Sequence, residues 1–71
     1  MLKLKQILQV TFANHFVIRN ADSDLEIIWQ GRKHSAGYDV LRRVYDDYEV
    51  TQIRTHKDGI ITIDIMGESW L

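Results

Sequence analysis

Cysteine and proline are both absent from the 71 residues. Without Cys the chain has neither a disulfide framework nor a thiolate zinc site. Glycine is sparse: four residues, Gly31, Gly37, Gly59 and Gly67, are too dispersed to form a phosphate-cradling loop. Neither sign of charge dominates. Nine Lys+Arg against ten Asp+Glu give a net charge of −1, so the totals point neither to nucleic acid nor to an anionic membrane. No apolar run approaches the roughly 18 residues needed to span a bilayer. The opening Met1-Leu2-Lys3-Leu4-Lys5-Gln6 lacks the uninterrupted apolar stretch and the cleavage site of a signal peptide. The cytoplasm is therefore the expected compartment.

What is present suits one small domain over residues 1–71, with 67–71 as a short tail. The chain is 45% hydrophobic and 27% charged, a composition that argues against disorder. A chain of this length buries only about 60% of the surface its unfolded form exposes, so the core is thin.

Leu4, Ile7, Leu8 and Phe12 recur at helical spacing and predict a helix over residues 2–12, closed by Asn14. His15 to Arg19 reads as a strand and Asn20 to Asp24 as a polar turn. Leu25 to Gln30 is the return strand, with Leu25, Ile27 and Trp29 on one face. Ser35 is placed to cap a second helix running to about Asp46, its stripe formed by Val40, Leu41, Val44 and Tyr45. Glu49 to His56 and Ile60 to Met66 form a second hairpin around Lys57-Asp58-Gly59, for which an Asp-Gly pair predicts a type I′ turn. The spacing from Val50 to Ile53 breaks alternation and predicts a bulge. The expected fold is α+β, in the order α-β-β-α-β-β: a four-stranded antiparallel sheet with two helices packed on one face.

Catalytic patterns are scarce. His15, His34 and His56 have no second ligand at i+2 or i+4 in a shared element, so no metal site is expected. Ser23, Ser35 and Ser69 are accounted for by a turn, a helix start and the tail, and no nucleophile elbow is present. Asp46, Asp47 and Glu49 offer carboxylates, but in a wet connection. One sheet with one helical layer leaves little volume for a substrate pocket of several hundred Å³.

Two features suit macromolecular partners. Arg32, Lys33, Arg42 and Arg43, interleaved with Trp29, Tyr38 and Tyr45, have the composition of a single-strand nucleic-acid platform. Against this, Asp39–Arg43, Arg42–Asp46 and Arg43–Asp47 are i,i+4 pairs that neutralise the helix face. For a protein partner, Val17, Ile28 and Ile60 are expected to form an apolar patch on the outer sheet face. Trp70 and Leu71 are expected to fold back on the core or to dock on a second copy.

The chain resembles a group of very short α-β-β-α-β-β proteins of unknown function from phage, prophage and plasmid genes of Gram-positive bacteria. The likeness rests on Leu4-Lys5-Gln6-Ile7-Leu8, on Trp29-Gln30-Gly31 ending a strand, on Glu49-Val50-Thr51-Gln52-Ile53 and on an Ile-rich last strand, over residues 3–66. The chain departs from the group's acidic character, since its arginines balance its carboxylates. The resemblance implies an accessory role in a mobile element, in a bacterial cytoplasm, and carries no functional residues. The combined expectation is a small non-enzymatic interaction protein without cofactor or metal. Its partner is a protein, a second copy included, and nucleic-acid binding through Arg32, Lys33, Arg42 and Arg43 is the alternative. Self-association would relieve a core whose burial barely offsets about 1.5 kcal/mol of ordering entropy per residue.

Overall fold

A computed structural model describes residues 2–67. The order is α1 (Leu4–Val10), β1 (His15–Asn20), a 3₁₀ turn (Ala21–Ser23), β2 (Glu26–Gly31), α2 (Tyr38–Tyr45), β3 (Glu49–Thr55) and β4 (Ile60–Met66). The α+β class and the element order are as expected. The sheet, however, is mixed.

Its strand order is β2-β1-β4-β3. Each hairpin is antiparallel, but the hairpins meet through β1 and β4, which pair in parallel from His15 opposite Ile60 to Asn20 opposite Ile65. The expectation of a purely antiparallel sheet is corrected here, and hydrophobicity explains why. β1 and β4 carry the fully buried Phe16, Ile18, Ile63 and Ile65, so they take the two central places. Parallel neighbours need a crossover of a dozen residues or more. Residues 32–48, with α2 inside them, carry the chain from the β2 edge to the β3 edge.

Both helices pack on one face. Leu4, Ile7 and Leu8 of α1 and Tyr38 and Leu41 of α2 join Phe16, Ile18, Ile63 and Ile65 in one core. α1 stops at Val10 because Thr11 is extended, which throws Phe12 out of the predicted stripe to 89% exposure. The Lys33 ammonium donates to the Leu8 carbonyl, one of the acceptors left unpaired at a helix C-terminus, where a cation is also favoured by the helix dipole. Asn14 does not close the helix; its N–H donates to the Gly59 carbonyl at 2.9 Å. At the other end, the Leu4 and Lys5 N–H groups donate to the carbonyls of Tyr48 and Asp46, tying α1 to the connection after α2.

Two turns differ from expectation. Ser35 caps no helix: its hydroxyl donates to the Arg32 carbonyl at 2.6 Å, and α2 begins after Gly37, whose φ is +82°. A Cβ there would meet the Trp29 indole nitrogen at 3.0 Å, so the position needs glycine on two counts. In the second hairpin only Gly59, and not Asp58, has positive φ. The Gly59 N–H donates to the His56 carbonyl and the His56 N–H to that of Ile60. That is a type I turn closed by a left-handed glycine rather than type I′. The predicted bulge is present, between Val50 and Gln52.

Candidate functional site: an apolar groove between β2 and α2

A second bulge sets the site. In the β1–β2 pairing the register slips between Ile18 and Arg19, so Trp29 opposes Ile18, Ile27 opposes Arg19, and Ile28 is the extra residue. The slip turns Ile27 outward, to 51% exposure, and packs Ile28 and Trp29 against the core. The predicted face of Leu25, Ile27 and Trp29 is therefore broken. Ile28 also leaves the expected outer patch. Val17 and Ile60 do lie on that outer face, half-buried, opposite Thr62 and His15 respectively. Trp70 and Leu71 lie outside the described residues.

The orientation of α2 sets the other wall. Tyr38, Leu41 and Tyr45 face the core, with Tyr38 buried against Trp29 at a ring separation of 5.6 Å. The predicted stripe placed Val40 and Val44 inward. They are instead 59% and 52% exposed, on the flank of the helix. The helix is rolled so that the Tyr38 ring faces inward and the valines lie to the side. Between this flank and β2 runs an open groove of about 430 Å³, lined by Ile28, Trp29, Gly37, Val40, Leu41, Val44 and Tyr45. Concave space of several hundred Å³ thus exists, contrary to the expectation from size. It is apolar and contains no titratable group other than the Tyr45 phenol.

The groove walls are held firmly. The Trp29 indole N–H donates to the Ala36 carbonyl at 3.0 Å, which fixes the ring. Tyr45 meets Tyr48 edge-to-face at 4.8 Å, within the separation at which aromatic pairs attract. Arg42, on the far side of α2, is bonded to Asp46 and to the Tyr38 hydroxyl, and both partners push its guanidinium further up from its ordinary value.

Of the four basic residues singled out from the sequence, Lys33 and Arg42 are engaged within the fold. Lys33 lies over the rings of Phe12 and Phe16, at 5.2 and 5.7 Å, while it holds the end of α1. Arg42 is held by Asp46. Asp47 pairs with Lys5 at 3.1 Å and Lys3 at 3.9 Å rather than with Arg43. The hydrogen bond and charge of Lys5, with a smaller contribution from Lys3, hold the Asp47 carboxyl below the ordinary range. Arg32 and Arg43 are exposed, and neither they nor Asp39 belong to an ion pair among the described residues. The histidines are dispersed: His15 lies 3.5 Å from Gln30, His56 bonds Thr62 at 3.1 Å, and His34 stands edge-on to Tyr38. No group of three or more His, Asp or Glu side chains suited to a metal ion forms among the described residues.

A buried ion pair on the helix-free sheet face was not foreseen. Asp64 is 2% exposed. Its two oxygens accept from Arg19 Nε at 2.7 Å and Nη2 at 2.9 Å, across the parallel β1–β4 pair. The hydrogen bond to Asp64 raises the Arg19 guanidinium further. The carboxylate is thereby satisfied, and among the described residues no buried side-chain polar atom lacks a partner. The pair clamps the sheet centre.

No helix among the described residues is long and apolar enough to cross a membrane. Comparison with family models, curated proteins and solved structures returned no match to this chain.

Proposed function

We propose that this chain is a small non-enzymatic interaction protein, of the accessory kind carried by mobile elements, and that it binds a protein surface through the β2–α2 groove. The observation that carries the reading is Val40 and Val44. Two β-branched residues stand more than half exposed on a helix flank, directly beside the fixed rings of Trp29 and Tyr45. Scattered exposed apolar residues need no explanation. A concave run of them with aromatic walls is the usual form of a contact site. The rigid walls favour binding as well, because little side-chain entropy is lost when Trp29 is already bonded to Ala36. The non-enzymatic part draws support from Asp46 and Asp47, two of the three carboxylates singled out from the sequence, and from buried Asp64, each paired with Lys or Arg. The nucleic-acid alternative is weakened by Lys33 and Arg42, which are both committed inside the fold.

The test is photocrosslinking in the cells that make the protein. A benzophenone side chain is placed at Val44, with Arg54 on the other sheet face as control. A discrete adduct at 44 that is absent at 54 is the expected result. No adduct at 44, or the same adducts at both sites, overturns the reading.

A further inference from the structure

We propose that the occupant of the groove is a second copy of this chain, with α2 lying antiparallel against its symmetry mate; the proposal rests on the groove being a protein-contact surface. Along the solvent side of the Val40–Val44 flank lie Asp39 and Arg43, exposed, four residues apart and of opposite sign. An Asp and an Arg at this spacing are able to pair with each other, yet neither does so among the described residues, whereas Arg42–Asp46 on the opposite flank is closed. A two-fold axis near the middle of α2 places Val40 over the mate's Val44. The same operation places Asp39 beside the mate's Arg43, and Arg43 beside the mate's Asp39. One stripe therefore gives two apolar contacts and two opposite-charge contacts, as a self-complementary two-fold interface requires. A parallel two-fold arrangement would carry the two Asp39–Arg43 flanks to opposite sides of the seam, and neither charge contact would form. The groove supplies the depth: valines from the mate enter beside Ile28, Trp29 and Tyr45.

Strand pairing is the competing way to dimerise, and the bulge argues against it. β2 is an edge strand, but the extra residue at Ile28 twists it and breaks the regular ladder a second β2 would need. The helix flank with its adjoining groove is left as the open apolar surface.

Analytical ultracentrifugation of the purified full chain across micromolar to millimolar concentration is the test. The wild type is expected to be a dimer that dissociates on dilution. Val44→Glu is expected to weaken it by about tenfold or more. Arg43→Asp is expected to weaken it strongly at low salt and less at high salt, and Asp39→Arg with Arg43→Asp in one chain is expected to restore it. Since the sequence has no Cys, Val40→Cys and Val44→Cys variants report geometry cleanly. Mixed together they are expected to form the 40–44 disulfide in preference to 40–40. Circular dichroism of each variant checks folding, and the charge swap keeps the test decisive if a single variant is unstable. A wild type that is monomeric throughout overturns the proposal, as does a dimer indifferent to Val44→Glu or a preferred 40–40 crosslink. A monomer that dimerises only when residues 68–71 are removed overturns it too, and assigns the groove to the tail. If the purified chain is monomeric but the benzophenone at 44 captures another protein, the second copy is refuted and the groove reading stands. With no adduct at 44, the groove reading itself fails.

Discussion

Replacing Asp64 by Ala should destabilise the protein more than any other single change on the helix-free sheet face. The carboxylate is buried and takes both of its strong hydrogen bonds from one guanidinium. Removing one partner of a fully buried pair costs about 3–5 kcal/mol, because the other charge is left uncompensated. Here the Arg19 side chain keeps 21% exposure, so water recovers part of the loss, and about 2–4 kcal/mol is expected. A domain of 71 residues has a total stability of about 4–10 kcal/mol at the usual 0.05–0.15 per residue. The variant should thus lose at least about a fifth of it, with a melting temperature lowered by about 8–30 °C. Urea unfolding followed by circular dichroism, at one protein concentration so that association does not contribute, measures this directly. Arg19→Met with Asp64→Leu should recover most of the loss, since replacing both partners by apolar groups leaves no orphaned charge. An Asp64→Ala protein within about 0.5 kcal/mol of wild type would refute the reasoning, and would mean that the pair does not clamp β1 to β4.

Three further outcomes follow from named contacts. The folded-state pKa of Asp47 is lowered, chiefly by Lys5, so the pair stabilises the protein above the unfolded carboxylate value near 3.9 and loses that contribution as pH falls through the folded value. The stability difference between wild type and Asp47→Asn should be constant above about pH 5 and shrink below about pH 4, and NMR titration of the Asp47 carboxyl checks the direction. Gly59→Ala should cost about 1–2 kcal/mol, because φ is +77° and the new Cβ would lie 2.6 Å from the Asn14 side-chain nitrogen; thermal melts read it. Phe12→Ala should change stability by less than about 0.5 kcal/mol while Phe16→Ala costs about 3–5 kcal/mol, since the first ring is exposed and the second fully buried.

Local periodicity made the frame readable. Ile61, Ile63 and Ile65 alternate with Thr62 and Asp64, and their facing was set by a period of two that no tertiary contact disturbs. The pairing of β1 with β4 was not readable, because both hairpins are locally complete and nothing local says which strands meet. The facing of the residues that line the groove departs from the sequence pattern at two places. One extra residue at Ile28 reversed which isoleucine faces the core, and strand-forming residues look alike on either side of a bulge. On α2 Tyr38, which the expected stripe omits, takes an inward place, and Val40 and Val44 do not. Asp64 gave no signal at all: a carboxylate alternating with isoleucines reads as solvent-facing, and its partner is 45 positions away. Three i,i+4 pairs are expected on α2; among the described residues only Arg42–Asp46 is formed, and the unmade Asp39–Arg43 pair is what a mate would complete.

The most direct test of the groove as the association surface is an amide and indole NMR spectrum of the labelled chain recorded through dilution. The account predicts that the Val40, Val44 and Arg43 amides and the Trp29 indole N–H shift together as dimer gives way to monomer, while Gln52 and Arg54 on the far edge do not move. Invariant groove resonances, or shifts confined to Gln52 and Arg54, would contradict it.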